Sequence, residues 1–160
     1  MNINYQMGDL LHSGEFVIAH GCNTQGLMGA GIAKQVRDQF PAAYSAYTAA
    51  CRSKAFTVGT AQRVCVDPNG NRPNVIYNLG TQQNPGRDAT TWGIFLSFAN
   101  MFESMRRHDE HRSRVAIPRI GAGIGGLNWT DDVLPAINEA QERVSKSRLD
   151  FSVVVYDYTP

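Results

Sequence analysis

The chain has 160 residues, 42% of them hydrophobic, and its 15 basic and 14 acidic residues give a formal net charge of +1. This length supports one hydrophobic core and is too short for two ordinary domains, so we expect a single domain over residues 1–160. The charge balance argues against strong general nucleic-acid binding, and no apolar run approaches the about 18 residues that a membrane span needs.

Apolar patterns predict six strands and four helices in an order that indicates a mixed α/β fold in three layers. The strands are expected at 3–7, 16–20, 62–66, 75–79, 115–118 and 151–156. The helices are expected from apolar residues at helical spacing, namely Ile32, Val36 and Phe40, then Tyr44, Tyr47 and Cys51, then Trp92, Phe95, Leu96, Ala99 and Phe102, and last Val133, Ile137, Ala140 and Val144. Thr130, Asp131 or Asp132 is expected to cap the fourth helix. The sequence Asp67-Pro68-Asn69-Gly70 predicts a hairpin-type turn.

Two glycine-rich loops each follow a predicted strand and precede a helix. The first runs from Gly21 to Gly31, and the second, from Arg119 to Leu127, holds four glycines in nine residues. Glycine lets the backbone approach a ligand closely, and successive N–H groups form a donor site for phosphate oxygens. Open α/β sheets bind ligands where strands end, so we expect the loops to be two walls of one cleft for a phosphate or diphosphate. A tight strand-to-helix connection without a ligand is the alternative.

Known phosphate motifs do not identify the anion. The second loop satisfies G-x-G-x-x-G through Gly121, Gly123 and Gly126, but one helix and one strand follow it, whereas a dinucleotide-binding fingerprint opens its fold. The motif G-x-x-x-x-G-K-[ST] does not occur in the chain.

Cys22, Cys51 and Cys65 lack Cys-x-x-Cys or Cys/His ligand spacing, which argues against a disulfide framework and a zinc site. The first residues lack the charged segment and apolar core of a signal peptide. A cytoplasmic location is therefore expected.

Several sequence blocks, in order from residue 3 to residue 158, resemble the macrodomain family, which binds ADP-ribose. They are Gly8-Asp9-Leu10, an apolar strand that ends in an Asn, the small-residue turn Met28-Gly29-Ala30-Gly31-Ile32-Ala33, the block from Ile117-Pro118-Arg119 to Leu127-Asn128-Trp129, and the end near Val155-Tyr156. The turn Ala19-His20-Gly21-Cys22-Asn23 is similar to the turn found in one branch of this family. That branch contains the yeast-type ADP-ribose-1''-phosphate phosphatases, the human terminal ADP-ribose glycohydrolase and the DNA-ADP-ribose hydrolases of toxin–antitoxin pairs. The resemblance implies a three-layer α/β/α fold with a mixed six-stranded central sheet.

The resemblance also assigns residues to the ligand. Asp9 is expected to accept a hydrogen bond from the adenine amino group, with the cap of a turn as the alternative, and Leu10 to line the adenine pocket. Tyr156 and Tyr158 share one side of the last strand, where one stacks on adenine or both pack against the protein. Gly21, Asn23, Gly29, Ala30, Gly31 and Ile32 are expected around the distal ribose.

The second loop is expected to hold the diphosphate. Ile124 is expected either to arch over it or to cover the neighbouring helix, and Arg119 either to clamp a phosphate or to pair with a carboxylate across the sheet. The remaining predicted contacts with ADP-ribose are Met28, Thr81, Ile120, Gly121, Ala122, Gly123, Gly125, Gly126 and Leu127.

The residues predicted to be catalytic are His20 and Asn23. His20 ends a strand beside the expected distal ribose, and the phosphatase branch has a His there, so it is expected to act as general acid or base, with a structural role as the alternative. Asn23 is expected to orient the ribose. Gln82 follows Thr81 where the glycohydrolase branch has its nucleophilic Lys, and Gly125 stands where the human member has Asp, so that mechanism is not carried over.

We therefore expect hydrolysis of a phosphomonoester on the distal ribose of ADP-ribose. Two alternatives stay open: a module that binds ADP-ribose without turnover, and a hydrolase that acts on ADP-ribose esters or nucleic-acid adducts through substrate-assisted attack of water. The expected partner is ADP-ribose or a derivative with a phosphate, an ester or a macromolecule on the distal ribose. No cofactor, metal or membrane is expected.

Overall fold

The computed structural model describes residues 2–67, 69, 72–110, 113–145 and 151–157, which form one sheet with helices on both faces. The strands are β1 (Asn2–Met7), β2 (Val17–Cys22), β3 (Ala61–Cys65), β4 (Val75–Gly80), β5 (Arg114–Ile117) and β6 (Ser152–Asp157). The helices are α1 (Gly31–Gln39), α2 (Pro41–Arg52), α3 (Thr91–Arg107) and α4 (Leu134–Val144). A 3₁₀ turn lies at Leu10–His12 and a π-helical turn at Trp129–Val133. The strands and helices predicted from the sequence are thus confirmed.

The sheet has the strand order β1-β6-β5-β2-β4-β3. β3 runs antiparallel to β4, whereas the other neighbouring strands are parallel, so the expected mixed six-stranded sheet is confirmed. Because the parallel strands end at the same edge, the loops after β2 (loop 1, 23–30), β4 (loop 2, 81–90) and β5 (loop 3, 118–128) emerge side by side.

Side chains that alternate along the strands divide the core into two halves. In β2, Val17 and Ala19 pack with α3 and α4, whereas Ile18 and Cys22 pack with α1 and α2. Alternation along a strand sends neighbouring side chains to opposite faces, so each face is apolar and each is covered by two helices. This arrangement is the predicted three-layer α/β/α fold.

The entry into α4 differs from the prediction. The cap is Asn128, whose Oδ1 accepts a hydrogen bond from the Asp131 N–H over 2.8 Å, while the Asp132 carboxylate accepts one from the Asn128 N–H over 2.8 Å. The expectation of Thr130, Asp131 or Asp132 as the cap was wrong because a π-helical turn precedes α4 and starts the helical chain earlier. Pro135 lies in the first turn of α4, where its missing N–H needs no partner.

Part of the predicted hairpin-type turn is visible. The Asn69 N–H donates to Asp67 Oδ1 over 2.8 Å, whereas Pro68 and Gly70 lie outside the described residues. Within the described ranges, no helix has the length and apolar character needed to cross a bilayer.

Candidate functional site

A cleft of about 550 Å³ opens at the carboxyl edge of the sheet, between loops 1, 2 and 3. The two predicted glycine loops form opposite parts of its lining, and loop 2 contributes a third part. The lining residues are Gly21, Cys22, Asn23, Leu27, Gly29, Ala30, Gly31, Ile32 and Ala33, then Thr81, Gln82, Pro85 and Gly86, then Pro118, Arg119, Ile120, Gly121, Gly123, Ile124 and Gly125. Among these residues Arg119 has the only formally charged side chain.

Loop 3 brings unpaired backbone donors to the lining of the cleft. Its internal hydrogen bonds use the N–H groups of Ile120, Ala122, Gly126 and Leu127, which donate over 2.8–3.3 Å to carbonyls of the same loop. In the described part of the chain, the N–H groups of Gly121, Gly123, Ile124 and Gly125 donate to no acceptor. Those four residues all line the cleft. Backbone N–H groups need a partner, and an array of unpaired N–H groups is able to bind anionic oxygens.

Glycine is required for this path of loop 3. Gly121 has φ +79°, a conformation that other residues rarely adopt, and a Cβ on Gly125 would lie 2.8 Å from the Gly121 carbonyl oxygen and 2.8 Å from Ala89 Cβ. A Cβ on Gly123, by contrast, would meet no protein atom within 4 Å, because it would project into open space.

The start of α1 provides further donors. Its N-cap residue, Ala30, offers no side-chain hydrogen bond, and its first turn has no acidic residue. Gly31, Ile32 and Ala33, which open this helix, line the cleft. An uncapped helix start has free N–H groups and a partial positive charge, which favours an anion here. The start of α3 differs, since Thr90 caps it by accepting a hydrogen bond from the Gly93 N–H over 3.0 Å.

Asn23 holds loop 1 in shape. Its Oδ1 accepts hydrogen bonds from the Gln25 N–H over 2.9 Å and the Tyr47 hydroxyl over 2.8 Å, and its Nδ2 donates to the Leu27 carbonyl over 2.8 Å. The predicted role of orienting the ribose is therefore limited to one remaining amide hydrogen, because the rest of the carboxamide is bonded to the protein. Burial raises the pKa of the Tyr47 phenol, which stays protonated as a donor.

His20 lies beneath the cleft and does not line it. Its side chain is 0% exposed, and its Nε2 lies 2.6 Å from Asn78 Oδ1. The Nδ2 of Asn78 donates to Ala43 O and Gln62 Oε1, so Oδ1 faces His20 and the imidazole proton lies on Nε2. Burial lowers the pKa of His20 from 6.5 to about 4, and the ring is neutral at pH 7.

This burial argues against the prediction that His20 is a general acid or base, which stays a prediction. A proton-transferring group must come within hydrogen-bond reach of the substrate, and here His20 is fully buried and does not line the cleft, while its Nε2 lies 3.7 Å from the Sγ of Cys22. The alternative interpretation, a structural histidine that joins β2 to β4 through Asn78, agrees with this placement. Burial also raises the pKa of the Cys22 thiol, which opposes a nucleophilic role.

Thr81 presents a hydroxyl at the floor of the cleft. The residue is 1% exposed, and its Oγ1 lies 2.9 Å from the position that a Cβ on Gly21 would take. Within the described ranges no acceptor or donor pairs with this hydroxyl. A glycine at position 21 thus leaves room for the Thr81 side chain, whose unpaired hydroxyl lies beside Gly21 in the lining of the cleft.

Arg119 pairs with Asp157 across the sheet. Its Nε and an outer guanidinium nitrogen lie 2.8 and 2.9 Å from the two Asp157 carboxylate oxygens, and its Cζ lies 5.2 and 5.5 Å from the ring centres of Tyr5 and Trp129. The ion pair raises the pKa of Arg119 and lowers that of Asp157. Of the two predicted alternatives, the structure shows the carboxylate pair, although Arg119 also lines the cleft.

The described residues predicted for adenine, Asp9, Leu10 and Tyr156, do not line the cleft, and neither does Met28, which was predicted as a contact of ADP-ribose. Asp9 caps the 3₁₀ turn by accepting from the Leu11 N–H over 3.0 Å, and its other oxygen lies 2.8 Å from His12 Nδ1. Leu10, Met28 and Tyr156 are 3%, 2% and 7% exposed and pack in the core beside α1 and α2, while Tyr158 lies outside the described residues. A contact of Leu10, Met28 or Tyr156 with a ligand would require these side chains to move.

The sequence prediction and the cleft differ in two further ways. Ala122, Gly126 and Leu127 belong to loop 3 but do not line the cleft, and their N–H groups donate to carbonyls of the loop itself. Leu27, Ala33, Pro85, Gly86 and Pro118 line it and were not predicted, nor were Cys22 and Gln82 assigned to the ligand. The position of loop 2 after a parallel strand would have indicated the third wall.

Known proteins resemble this chain in sequence and in fold. The family model described as Macro domain matches residues 19–136. An ADP-ribose 1''-phosphate phosphatase of Meyerozyma guilliermondii is 35% identical over 155 residues, which cover 81% of this chain and 89% of the relative. A DNA ADP-ribosyl glycohydrolase of Mycobacterium tuberculosis is 30% identical over 130 residues, which cover 81% of this chain, and the match spans 36% of that relative's length. The solved macrodomain of Mycobacterium tuberculosis DarG is 27% identical with a TM-score of 0.82 and 98% coverage of both chains.

Proposed function

The chain belongs to the macro domain family, and we propose that it binds ADP-ribose in the cleft and hydrolyses a phosphate from the distal ribose. The observation that carries the proposal is the array of backbone donors in loop 3. The N–H groups of Gly121, Gly123, Ile124 and Gly125 lack acceptors in the described residues and line the cleft together. A diphosphate supplies oxygens at the spacing that such an array binds.

The rest of the cleft fits the parts of ADP-ribose on either side of the diphosphate. Gly29, Ala30 and Gly31 leave space for a sugar, since a Cβ on Gly29 would meet no protein atom within 4 Å. Thr81 and the remaining amide hydrogen of Asn23 are polar groups for the ribose hydroxyls. Ile124 is 58% exposed, and a solvent-exposed Ile over a donor loop is placed to cover the bound diphosphate.

The proposed hydrolysis uses water and the substrate's own phosphate. The cleft lining contains neither His, Lys nor carboxylate among the described residues, and the side-chain Nε2 of Gln82 donates within loop 2 to Asn84 O and Gly86 O over 2.6 and 2.9 Å. Water would therefore attack phosphorus while the bond to the sugar oxygen breaks. Its proton would pass to a phosphate oxygen and then to the departing sugar oxygen, which yields ADP-ribose and inorganic phosphate. Backbone donors would stabilise the developing charge.

The same lining supports a second candidate, a module that binds ADP-ribose without turnover. Its specific observation is the absence, in the described lining, of a side chain that ionises near neutral pH and reaches the ligand. Two relatives are named for phosphatase and glycohydrolase activity, which favours the first candidate.

One experiment separates these functions. The protein is incubated with ADP-ribose-1''-phosphate, an ADP-ribosylated peptide and ADP-ribosylated DNA, and the products are resolved by chromatography, while calorimetry measures the affinity for ADP-ribose. Release of phosphate supports the phosphatase, and release of ADP-ribose from peptide or DNA points to a glycohydrolase. Binding without product supports the module, whereas failure to bind ADP-ribose contradicts all three.

A further inference from the structure

A second groove, of about 530 Å³, lies on the outer face of the layer formed by α3 and α4. We call it the α3/α4 groove, and its lining residues are Thr91, Trp92, Phe95, Asp131, Asp132, Pro135, Ala136, Glu139 and Arg143. None of these residues lines the cleft described above. The groove starts at the same edge of the sheet, because α3 follows loop 2 and the π-helical turn before α4 follows loop 3.

The groove has an aromatic surface, of which Trp92 is largely exposed while Phe95 also packs against the core. Trp92 is 61% exposed, among the most exposed large apolar side chains in the described chain, and its ring lies 5.7 Å from that of Phe95 at a tilt of 38°. The two side chains are one helical turn apart on α3, so their rings form one continuous wall. A large indole left in water beside a groove is typical of a surface that binds a partner.

The opposite wall is acidic. Asp131, Asp132 and Glu139 contribute carboxylates, and Arg143 is the single basic residue of the lining. In the described part of the chain, no cation lies within ion-pair distance of Asp131 or Asp132. The whole chain has a net charge of +1, so this negative charge is local to the groove and is not a property of the overall surface.

Arg143 shows how the groove accommodates a cation. Its Cζ lies 5.7 Å from the centre of the Phe95 ring, and its guanidinium lies 3.9 Å from the Glu139 carboxylate. One end of the groove thus already holds a guanidinium between an aromatic face and a carboxylate. Trp92 and Asp131 also line the groove, and among the described residues no cation pairs with either of them.

We propose that the α3/α4 groove is a docking surface for a basic peptide segment of a protein partner, with an Arg or Lys side chain placed between Trp92 and Asp131. A stacked guanidinium or ammonium gains from the indole face and from the carboxylate together. Phosphate groups of a nucleic acid would meet Asp131, Asp132 and Glu139 and be repelled. This inference goes beyond the proposed function and does not depend on ADP-ribose binding.

The test measures binding of a fluorescently labelled Arg-Gly repeat peptide to the whole protein by anisotropy, with a Glu-Gly repeat peptide for comparison. Trp92→Ala and Asp131→Asn should each weaken binding of the basic peptide about three- to tenfold, since each removes one contact with the cation. Arg143→Ala should strengthen it severalfold, because the Phe95 face and Glu139 become available. Thermal melts verify that each variant stays folded, and the exposed position of Asp131 makes this substitution safe for the fold.

Two matched controls separate a local site from general electrostatics. Glu142→Gln changes the same charge on α4 outside the groove, and Arg107→Ala removes an exposed Arg at the end of α3, so neither should alter peptide binding. The proposal is overturned if the basic peptide does not bind or if the acidic peptide binds equally well. It is also overturned if each control changes peptide affinity as much as the groove variant that it is paired with, or if duplex DNA competes with the peptide for the groove.

Discussion

Loops 1 and 3 both contain several glycines but reach their shapes by different means. Loop 1 is fixed by side chains: Asn23 bonds Gln25, Leu27 and Tyr47, and Tyr47 reaches it from α2. Loop 3 is fixed by its own backbone, with four internal N–H to carbonyl bonds over 2.8–3.3 Å, and four residues of its cleft lining have N–H groups without an acceptor among the described residues. A loop that is stabilised by its own backbone and glycines can therefore present donors, whereas a loop that needs side-chain support uses its polar groups for shape.

The largest effect is expected from breaking loop 3. Gly125→Val should weaken ADP-ribose binding about a hundredfold or more, because the new side chain collides with Gly121 O and Ala89 and displaces charge-assisted hydrogen bonds to the diphosphate. Calorimetry measures the affinity. Gly123→Val is the matched variant. Because a Cβ at this position meets no protein atom within 4 Å, the melting temperature should stay unchanged, and because Gly123 lines the cleft, the larger side chain should weaken ADP-ribose binding. Equal affinity in both variants and wild type would show that loop 3 does not hold the ligand.

The next effect concerns His20, which supports β2 just before loop 1. Its pKa is 6.5 when unfolded and about 4 when folded, so between these values the unfolded chain binds more protons. Stability should therefore be full above pH 6.5 and fall by about 3 kcal/mol as the pH drops to 4. Denaturant titrations across this range measure it.

A variant isolates that contribution. His20→Gln has no group that titrates there, so its stability should change less between pH 6.5 and pH 4, and at pH 7 its ADP-ribose affinity should stay close to wild type because the ring is beneath the cleft. Parallel stability curves for the two proteins would contradict a buried neutral imidazole. A selective loss of turnover with intact affinity would instead restore the catalytic role.

Tyr47→Phe tests the side-chain support of loop 1. The variant loses the hydrogen bonds of the Tyr47 hydroxyl with Asn23 and the Leu27 N–H, the latter 3.1 Å long, and leaves buried groups unpaired. We expect about 1–3 kcal/mol of lost stability and a severalfold weaker affinity for ADP-ribose. Chemical denaturation and calorimetry give both values. Unchanged stability would mean that loop 1 keeps its shape through its backbone, as loop 3 does.

The smallest effect is expected at the ion pair beside loop 3. Asp157→Asn should cost at most about 1 kcal/mol of stability, since the pair is partly exposed, and should strengthen ADP-ribose binding two- to threefold because Arg119 keeps its charge without a carboxylate partner. Arg119→Gln is the matched variant, for which little loss of affinity is expected. A large loss in Arg119→Gln would identify Arg119 as a phosphate clamp after all.

The fold and the loops were accessible to sequence analysis because their signals are local. Apolar periodicity marked the strands and helices, and the glycines of loops 1 and 3 marked the cleft. The placement of His20 was not accessible, since its burial depends on Asn78, Ala43 and Gln62, which are distant in sequence and meet only in the folded sheet. Composition also could not show which N–H groups of loop 3 bond within the loop.

The most direct test of the donor array is a titration of ¹⁵N-labelled protein with ADP-ribose, followed by amide resonances. The backbone amides of Gly121, Gly123, Ile124 and Gly125 should show the largest changes and shift downfield as they gain phosphate acceptors, whereas adenosine, which lacks the diphosphate, should leave them in place. Large changes confined to other amides, with these four unmoved at saturation, would contradict the assignment of loop 3 as the diphosphate site.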